Sequence, residues 1–441
     1  MSGPKIIKTL QAAPEASHAP AWRFIDLFAG VGGFHQAMTD LGGECVFASE
    51  IDRDARTVYR ANYGMEPAGD IRPLTEGAKI LVPEHDVLCA GFPCQPFSKS
   101  GFQRGMEETR GTLFFNILKI IEARRPRFVI LENVRNLAGP RQKATWDTII
   151  LNLRKLGYRV PDKPTVFSPH FLDEAHDGRP QIRERVFILA EYIGDEDLAW
   201  MDVQPLVERG PVPNWHPRKW NIEDWLQDDA EIEHPSRYAL RPNELQWIEA
   251  WDDFVKRLAA KEPLPGHPIW AAEFRTKARV FSWTPPWKVN FLEKNAALYR
   301  RNRWIDAWKQ DHGVDDFPDS RQKFEWQAGK TATPDLWKTV MHLRPSGLRV
   351  KAPTYLPALV AINQTSIIGS KRRRITPREA ARLQGLPDGF LLHEKDAVSY
   401  KQMGNAVNVG VVKHVARALF DASEVGWPSV QLPDLAPVTA S

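Results

Sequence analysis

The sequence predicts an α/β protein with a doubly wound, mostly parallel sheet of the Rossmann-like type and a smaller domain inserted into it. Between Trp22 and Ile193, short β-branched and aromatic runs alternate with amphipathic helical stretches, which is the pattern of repeated βαβ units. A glycine-rich turn, typical of this sheet, follows the first predicted strand. The chain has 441 residues, more than one compact domain usually needs.

Four short apolar runs are the candidate strands, and each is followed by loop residues: 23–28, 45–49, 86–90 and 128–131. The first connecting helix carries Phe34, Ala37, Met38 and Leu41 at helical spacing and ends at Gly42. Further connecting helices are predicted over 112–123 and 143–156. These elements place the ends of several strands at one edge of the sheet.

The character of the chain changes after Ile193. Thirteen of the sixteen tryptophans lie between Trp200 and Trp337, and the βαβ pattern is lost. Thr376, Pro377 and Glu379 then form the pattern of a helix start with a capping box. We therefore predict a first domain over residues 21–193 and an inserted second domain over residues 194–398. Residues 399–425 return to the first domain, and residues 1–20 and 426–441 are loose tails.

The composition is that of a folded globular protein, with 43% hydrophobic and 26% charged residues, and wholesale disorder is excluded. The net charge of +4 permits a polyanionic partner without requiring one. Three cysteines in no framework spacing argue against a disulfide scaffold, and no zinc pattern is present, so we expect no metal. No secretory segment or run of about 18 apolar residues occurs, which predicts a cytoplasmic protein without a membrane contact.

The first chemical motif is the glycine-rich turn Phe28-Ala29-Gly30-Val31-Gly32-Gly33. Glycines there let a ligand approach the backbone, and an acid about twenty residues later, Glu50, is spaced to hold ribose hydroxyl groups. Asp70 and Ile71 follow where a third strand end is expected, at which Asp70 could meet an adenine amino group. Together they suggest an adenosine-containing cofactor. A tight turn without a ligand and an ordinary turn acid remain the alternatives.

The second motif is Gly91-Phe92-Pro93-Cys94-Gln95-Pro96-Phe97-Ser98. It places Cys94 just past a strand, in a loop with two prolines, at the same sheet edge as the glycine turn. A thiol there is positioned as a nucleophile once its pKa is lowered. The alternative is a structural loop cysteine. Cys89, inside the strand, is predicted to be a small buried hydrophobic residue.

With these motifs the sequence resembles the DNA cytosine-5 methyltransferase family over most of the chain outside the tryptophan-rich insert. Six segments are similar to the family motifs and follow in the family order: 24–34, Pro93-Cys94-Gln95, Glu132-Asn133-Val134, Gln181-Ile182-Arg183-Glu184-Arg185, 374–387 and Gly404-Asn405-Ala406-Val407. The resemblance implies a Rossmann-like S-adenosylmethionine-dependent methyltransferase, in which 194–398 contains the target-recognition domain.

The resemblance implies a site-specific transfer of a methyl group from S-adenosylmethionine to C5 of cytosine in double-stranded DNA, with S-adenosylhomocysteine as product. Cys94 would add to C6, and Glu132 would interact with N3. Arg183 and Arg185, facing one side of a strand, would hold the base carbonyl oxygen and favour the Cys94 thiolate. The glycine turn, Glu50, Asp70, Ile71, Asn405 and Val407 would bind the cofactor. The target base must be flipped out, and the loop Lys99–Gly105 would close behind it.

Several residues are predicted to face DNA. Gln95, Ser98 and Arg104 lie in or after the nucleophile loop, and Arg349 and Lys351 lie in a basic segment around a glycine turn, 344–351. Most tryptophans of the insert are expected in its core. The basic run 371–374 is either a solvated hinge or a phosphate contact.

The resemblance suggests a monomer in a restriction-modification system, with a separately encoded restriction endonuclease as partner, and an orphan regulatory role fits equally well. RNA cytosine methylation is the alternative reaction; the RNA-methylating branch carries a further cysteine in its recognition region, whereas no cysteine follows Cys94 here. A DNA-binding homologue without catalysis would be expected to lose Cys94, Glu132 or Arg185. Methyltransferases that act on exocyclic amines use an Asp/Asn-Pro-Pro-aromatic loop, which differs from Pro93-Cys94-Gln95-Pro96.

Overall fold

A seven-stranded sheet with helices on both faces organises the first part of the chain. The computed structural model describes residues 22–77, 79–93, 113–194, 196–359 and 365–425. The strands are β1 Arg23–Leu27, β2 Glu44–Ser49, β3 Val87–Gly91, β4 Phe128–Val134, β5 Tyr158–Arg159, β6 Thr165–Phe167, β7 Gln181–Ile182, β8 Arg185–Tyr192, β9 Ile269–Trp270, β10 Lys323–Gln327, β11 Val340–Arg344, β12 Gly347–Lys351, β13 Leu356–Pro357, β14 Ile367–Ile368 and β15 Arg373–Arg374.

The α-helices connect and cover these strands. They are α1 Gly33–Asp40, α2 Arg53–Tyr63, α3 Arg72–Thr75, α4 Leu113–Arg124, α5 Lys143–Lys155, α6 Glu196–Ala199, α7 Pro242–Ala259, α8 Pro286–Arg301, α9 Ile305–His312, α10 Pro377–Leu383, α11 Asp396–Asn405 and α12 Val409–Val425.

The strand order of the large sheet is β2-β1-β3-β4-β8-β5, and β6 also pairs with β8. The first four strands in this order are parallel, whereas β8 is antiparallel to β4. The parallel strands β1, β3 and β4 are buried on both faces, as their continuous apolar runs indicate. The predicted α/β, Rossmann-like fold class is confirmed.

The strand expected before Asp70 is not present. Ala68 forms only an isolated parallel bridge with Ser49, and its N–H donates to Ala48 O at 2.8 Å. A single bridge still brings the segment to the edge of β2, so Asp70 reaches the predicted side of the sheet without a third strand. The segment before it begins at Gly64, the left-handed C-cap of α2, and contains Pro67, which has no N–H to donate to a neighbouring strand.

Two hydrophobic cores lie on opposite faces of the large sheet. One contains Phe24 and Ile130 with the side chains of α1, α10 and α12. The other contains Ile25 and Val129 with α4 and α5. Helix α12, at the end of the described chain, packs against α1 and β8, so the chain returns to the first sheet after the insertion. This return brings the last sequence motif to the glycine turn.

A second sheet has the order β15-β14-β11-β12-β10-β9. Its core contains Trp251, Phe254 and Trp308 and extends from Leu240 to Ile367. Val207 and Ile222 belong instead to the first core. The predicted domain limits at 194 and 398 stay predictions. Of the thirteen tryptophans between 200 and 337, Trp220, Trp251, Trp308 and Trp326 are buried, and Trp200, Trp283 and Trp287 are exposed.

The predicted capping box begins α10. Thr376 Oγ1 accepts a hydrogen bond from Glu379 N at 3.1 Å, and Glu379 Oε2 accepts one from Thr376 N at 2.8 Å. Pro377 occupies the first helical position. This helix start is a local property that the sequence pattern predicts correctly.

Candidate active site

A cavity of about 640 Å³ lies where β1, β2, β3 and β4 end. Parallel strands direct their carboxyl ends to one edge, where ligands of doubly wound sheets bind. The cavity is lined by Phe28, Gly30, Glu50, Asp70, Ile71, Glu132, Arg183, Arg185 and Asn405 among the residues predicted from the sequence, and also by Ser49, Asp52, Phe92, Pro93, Asn133, Lys401 and Gln402. These residues from seven segments of the chain therefore meet in one place.

The glycine-rich turn is held in an unusual backbone conformation. Phe28, Gly30 and Gly32 have φ angles of 57°, 56° and 91°. A left-handed conformation is unfavourable for an aromatic residue such as Phe28, and such strain is concentrated at functional sites. Gly30 N donates to Glu50 Oε2 at 2.8 Å, which fixes the turn against the end of β2.

Glu50 presents a carboxylate of defined orientation to the cavity. Its Oε1 accepts a hydrogen bond from Asp52 N at 2.8 Å, and its Oε2 accepts the one from Gly30 N. Each carboxylate oxygen has two lone pairs, so both retain capacity for further donors such as hydroxyl groups. The acid therefore both positions the turn and can accept from a ligand.

Asp70 lines the same cavity but is already paired. Arg72 Nε donates to Asp70 Oδ2 at 2.8 Å, and Arg72 N donates to Oδ1 at 2.9 Å. These hydrogen bonds lower the pKa of Asp70 below its usual range. A fully ionised carboxylate keeps spare acceptor positions for an amino group.

Four residues predicted to bind the cofactor do not line the cavity: Ala29, Gly32, Gly33 and Val407. They support its wall. A Cβ on Gly33 would lie 2.5 Å from Val407 O, so only glycine allows the last motif to pack on the turn. Asn405, two residues earlier, does face the cavity.

Glu132 is buried, with 8% of its surface exposed, near the end of β4. Its Oε1 lies 3.1 Å from Arg185 Nε, yet this oxygen has no hydrogen-bond partner among the residues that the structure describes. Burial raises the pKa of Glu132, and the charges of Arg185 and Arg183 act in the opposite direction. The acid is thus set up to exchange a proton or a hydrogen bond with a ligand.

Arg183 lies between β7 and β8 rather than on a continuous strand with Arg185. Its guanidinium donates to the carbonyl oxygens of Gly404 at 3.0 Å and Ala406 at 2.7 Å. It is 2% exposed, and its burial lowers its pKa, although a guanidinium stays protonated near neutral pH. The structure thus gives Arg183 backbone partners in the last motif, which the sequence pattern did not indicate.

Cys94, Gln95, Ser98 and Arg104 lie outside the described residues, as does the predicted closing loop Lys99–Gly105. The described chain approaches them at Phe92 and Pro93, which line the cavity. Asn133 Nδ2 donates to Phe92 O at 2.9 Å and so ties the end of β3 to β4. Cys89 is fully buried in β3, as predicted, and burial raises its thiol pKa.

Sequence analysis missed Tyr63 and His35 as supports of the glycine turn. Tyr63 Oη donates to Gly32 O at 2.9 Å, and its ring fills the space that a Cβ on Gly32 would need. The ring of His35 stacks on Tyr63 with centroids 3.9 Å apart. No local signal links residues that are about thirty positions apart, so only the fold reveals this contact.

Arg349 and Lys351 lie on β12, in a hairpin with β11. Arg349 Nε donates to Glu325 Oε2 at 2.8 Å. Burial, together with the charges of Arg349 and Arg344, lowers the pKa of Lys351. Three cations therefore share one face of the second sheet, with Glu325 as a neighbouring acid.

Arg373 and Arg374 of the basic run 371–374 are neither a solvated hinge nor a free phosphate contact, so both expectations were wrong for these two residues, whereas Arg372 is exposed and has no carboxylate partner among the described residues. The Arg373 side chain is buried and pairs with Glu379 at 2.8 Å and Asp229 at 3.0 Å. Arg374 pairs with Glu244 at 2.6 Å. Arg373 joins the second sheet to α10 and Arg374 joins it to α7, because acids from these distant segments pair with them.

Within the described ranges, no group of three His, Cys, Asp or Glu side chains is arranged to hold a metal ion. No helix in this part of the chain is long and apolar enough to span a membrane.

The fold and the cavity define a Rossmann-like α/β protein with a glycine-turn ligand site beside a buried Glu–Arg pair. Residues 22–421 match the family model described as C-5 cytosine-specific DNA methylase, and the chain belongs to this family. It is therefore a DNA cytosine-5 methyltransferase, as the sequence predicted.

Similar proteins agree with this assignment. The type II methyltransferase M.AluI of Cellulosimicrobium cellulans is 43% identical, over 90% of this chain and 91% of that protein. M.HpaII of Haemophilus parainfluenzae is 32% identical, over 90% of this chain and 89% of that one. The solved structure of a prophage-encoded protein of E. coli matches with a TM-score of 0.51 and 19% identity, covering 92% of this chain and all of that one, and supports the fold alone.

Proposed function

We propose that this protein methylates C5 of a flipped-out cytosine in double-stranded DNA, with S-adenosylmethionine as donor and Cys94 as nucleophile. The observation that carries the proposal is the cavity in which the glycine turn, Glu50 and the Glu132–Arg185 pair meet. The part formed by the glycine turn and Glu50 suits a nucleoside. The part formed by Glu132 and Arg185 suits a pyrimidine ring that gains charge during the reaction.

The residues present fit the cofactor. The volume of about 640 Å³ lies in the range of small-molecule sites. The Glu50 carboxylate has acceptor positions for ribose hydroxyl groups, and Asp70 has them for an amino group. Phe28, Ile71 and Asn405 complete this part of the wall. When bound, the cofactor supplies an electrophilic methyl group on a sulfonium.

The chain's own residues would activate the base. The Cys94 thiolate adds to C6, so the electron pair of the C5–C6 double bond becomes available at C5 for the methyl group. Glu132, whose pKa burial raises, shares a proton with N3 as charge develops on the ring. Removal of the C5 proton then expels the Cys94 thiolate and restores the aromatic ring.

The two arginines would have different tasks. Arg185 faces the cavity beside Glu132 and is placed to donate to the base carbonyl oxygen. The Arg183 guanidinium donates hydrogen bonds to Gly404 O and Ala406 O, so its contribution is to position the last motif against the site. We assign Arg183 as a positioning residue.

DNA contacts are proposed for Gln95, Ser98 and Arg104 near the nucleophile, and for Arg349 and Lys351 on the second sheet. The names of the type II relatives support a role in a restriction-modification system with a separate endonuclease, and we propose a monomer.

The test combines methyl transfer with trapping of the covalent adduct. Labelled S-adenosylmethionine with duplex DNA should yield 5-methylcytosine at one sequence, mapped at base resolution. DNA with 5-fluorocytosine at that position should trap the wild type covalently, since fluorine blocks removal of the C5 substituent, and should not trap Cys94→Ser. Methylation of RNA alone, or trapping by the serine variant, would contradict the proposal.

A further inference from the structure

The segment that leads from the edge strand β9 into α8 carries exposed aromatic side chains that the proposed site does not use. Trp283 is 76% exposed, Trp287 62% and Phe281 40%. We call Phe281, Trp283 and Trp287 the aromatic ledge. Large rings are rarely left in water together unless another molecule covers them.

The rings of the ledge are ordered as flat surfaces. Phe281 and Trp283 stack with centroids 4.8 Å apart and planes within 6°, and the Arg279 guanidinium lies 5.0 Å from the Phe281 ring centre. Trp287 contacts Phe291, which in turn contacts Trp270 on β9. Such pre-arranged rings lose little side-chain entropy when they bind.

The charge around the ledge is mostly positive, with Glu293 as an acid beside Lys277. Between Glu273 and Glu293 the sequence contains Arg275, Lys277, Arg279 and Lys288 but no acid. Arg275 lies 3.6 Å from Glu273, whereas Lys277, Arg279 and Lys288 have no carboxylate partner in the part of the chain that the structure describes. The surface therefore complements a polyanion.

The ledge is continuous with the cationic face of the second sheet. Trp270 on β9 is paired in register with Lys323 on β10, and further along β10 Glu325 lies opposite Arg349 of β12. The alternate residues of β10, Phe324 and Trp326, point into the core, so Lys323, Glu325 and Gln327 lie on the other face. This face therefore leads from the hairpin to Trp270 and, through Phe291, to Trp287 of the ledge.

The strand order sets the scale of this surface. Five strand spacings separate β15, which leads into α10, from β9. At about 4.8 Å each this is roughly 24 Å, the length of about seven DNA base pairs. A duplex that crosses the sheet from β15 to the ledge therefore needs about seven base pairs beside the target to do so.

We propose that the aromatic ledge, with Lys277, Arg279 and Lys288, is a second DNA contact that grips the duplex flanking the methylated site. The cations bind phosphates, and the rings pack against the sugars and base edges of the flank. The inference rests on the proposed function, because it takes duplex DNA as the substrate. It adds a binding surface separate from the residues proposed to recognise or methylate the target.

The test compares two duplexes with the target sequence at the centre, one of about 30 base pairs and one of about 10. The shorter duplex extends only about five base pairs, roughly 17 Å, to either side of the target, which is less than the roughly 24 Å across the sheet. The variants are Trp283→Ala with Trp287→Ala, and Lys277→Ala with Arg279→Ala. Trp200→Ala is the matched control, since Trp200 is exposed (47%) but directly follows α6, in a different segment from the ledge. Fluorescence anisotropy measures affinity at several salt concentrations.

Both double variants should bind the long duplex about ten-fold more weakly than the wild type and bind the short duplex like the wild type. The cation variant should also lower the slope of log affinity against log salt by about 2, at about 0.9 per lost phosphate contact. The Trp200→Ala control should match the wild type on both duplexes.

Two results would overturn the inference: unchanged affinity for the long duplex, or an equal loss on both duplexes. Sedimentation of each variant gives a third readout. A change in self-association without a change in DNA affinity would assign the ledge to a protein contact instead. Failure of the proposed function is separate, because it would appear as a wild type that methylates no DNA.

Discussion

Glu132 shows how one residue combines burial with a neighbouring charge to obtain a useful proton affinity. Desolvation favours the neutral form of Glu132 and raises its pKa, whereas the positive charge of Arg185, 3.1 Å away, lowers it. The sequence motif predicted an acid at this strand end. The motif did not predict that Glu132 Oε1 lacks a hydrogen-bond partner, because this depends on how the Arg185 side chain, at the start of β8, is oriented toward Glu132.

We expect Glu132→Gln to lower the single-turnover methylation rate by about 10²-fold or more, since a positioned acid contributes about 10²–10⁴. The wild-type rate should fall as pH rises through the raised pKa of Glu132, because the protonated form is lost. The variant should lack this descending limb. Glu44→Gln, at an exposed position of β2, is the control. An unchanged pH profile in Glu132→Gln would refute the assigned role.

The contribution of Glu132 to the free energy of unfolding should also fall as pH rises. The folded state holds the Glu132 proton more tightly than the unfolded chain. Its contribution to the free energy of unfolding is therefore complete below the unfolded pKa and is lost as pH rises through the folded pKa. Urea unfolding of the wild type and Glu132→Gln at several pH values measures this difference.

At the scale of elements, α10 is joined to the second sheet by a buried ion network. Arg373 donates to both carboxylate oxygens of Glu379, at 3.0 and 2.8 Å, and Glu379 Oε1 also accepts from Gln227 N at 2.9 Å. Glu379 therefore serves both the capping box and the connection between segments. Four consecutive residues predicted the capping box, whereas no sequence pattern predicted that Gln227 and Arg373 would be partners of Glu379.

Glu379→Ala should lower the free energy of unfolding by about 3–5 kcal/mol, since it leaves Arg373 buried without its main partner. Thr376→Ala, which removes the cap and the hydrogen bond that Thr376 Oγ1 donates to Gln227 Oε1 but keeps the Arg373–Glu379 pair, should cost about 1 kcal/mol. Glu394→Ala, at an exposed position, is the control and should stay within about 0.5 kcal/mol of the wild type. Urea titrations followed by circular dichroism measure all three. Equal losses for Glu379→Ala and Thr376→Ala would show that the buried pair adds nothing.

At the scale of the whole molecule, the cavity is assembled from segments that are far apart in the chain. Gly30 and Glu50 follow β1 and β2, whereas Gln402 and Asn405 lie at the end of α11. A ligand that touches all of them is bound only by the folded state. Its binding free energy therefore adds to the stability of the fold.

S-adenosylmethionine at a hundred times its Kd should raise the free energy of unfolding by about 2.7 kcal/mol. Glu50→Ala should lose most of this increment at the same ligand concentration, because it removes the ribose acceptor and the anchor of Gly30 N. Glu44→Ala should retain it. Differential scanning calorimetry with and without ligand measures the effect. A midpoint that does not move in the wild type would contradict cofactor binding in this cavity.

The sequence by itself determined the fold class, the strand ends that carry Glu50 and Glu132, the helix cap at Thr376 and the family. Each of these is encoded by residues that are neighbours in the chain, through strand alternation, turn chemistry or motif spacing. Tertiary structure alone decided the partners: Arg183 with the carbonyls of the last motif, the basic run with distant acids, Tyr63 with Gly32, and which tryptophans face water. A side chain's partner and exposure depend on which distant segment folds against it, and no local pattern carries that information.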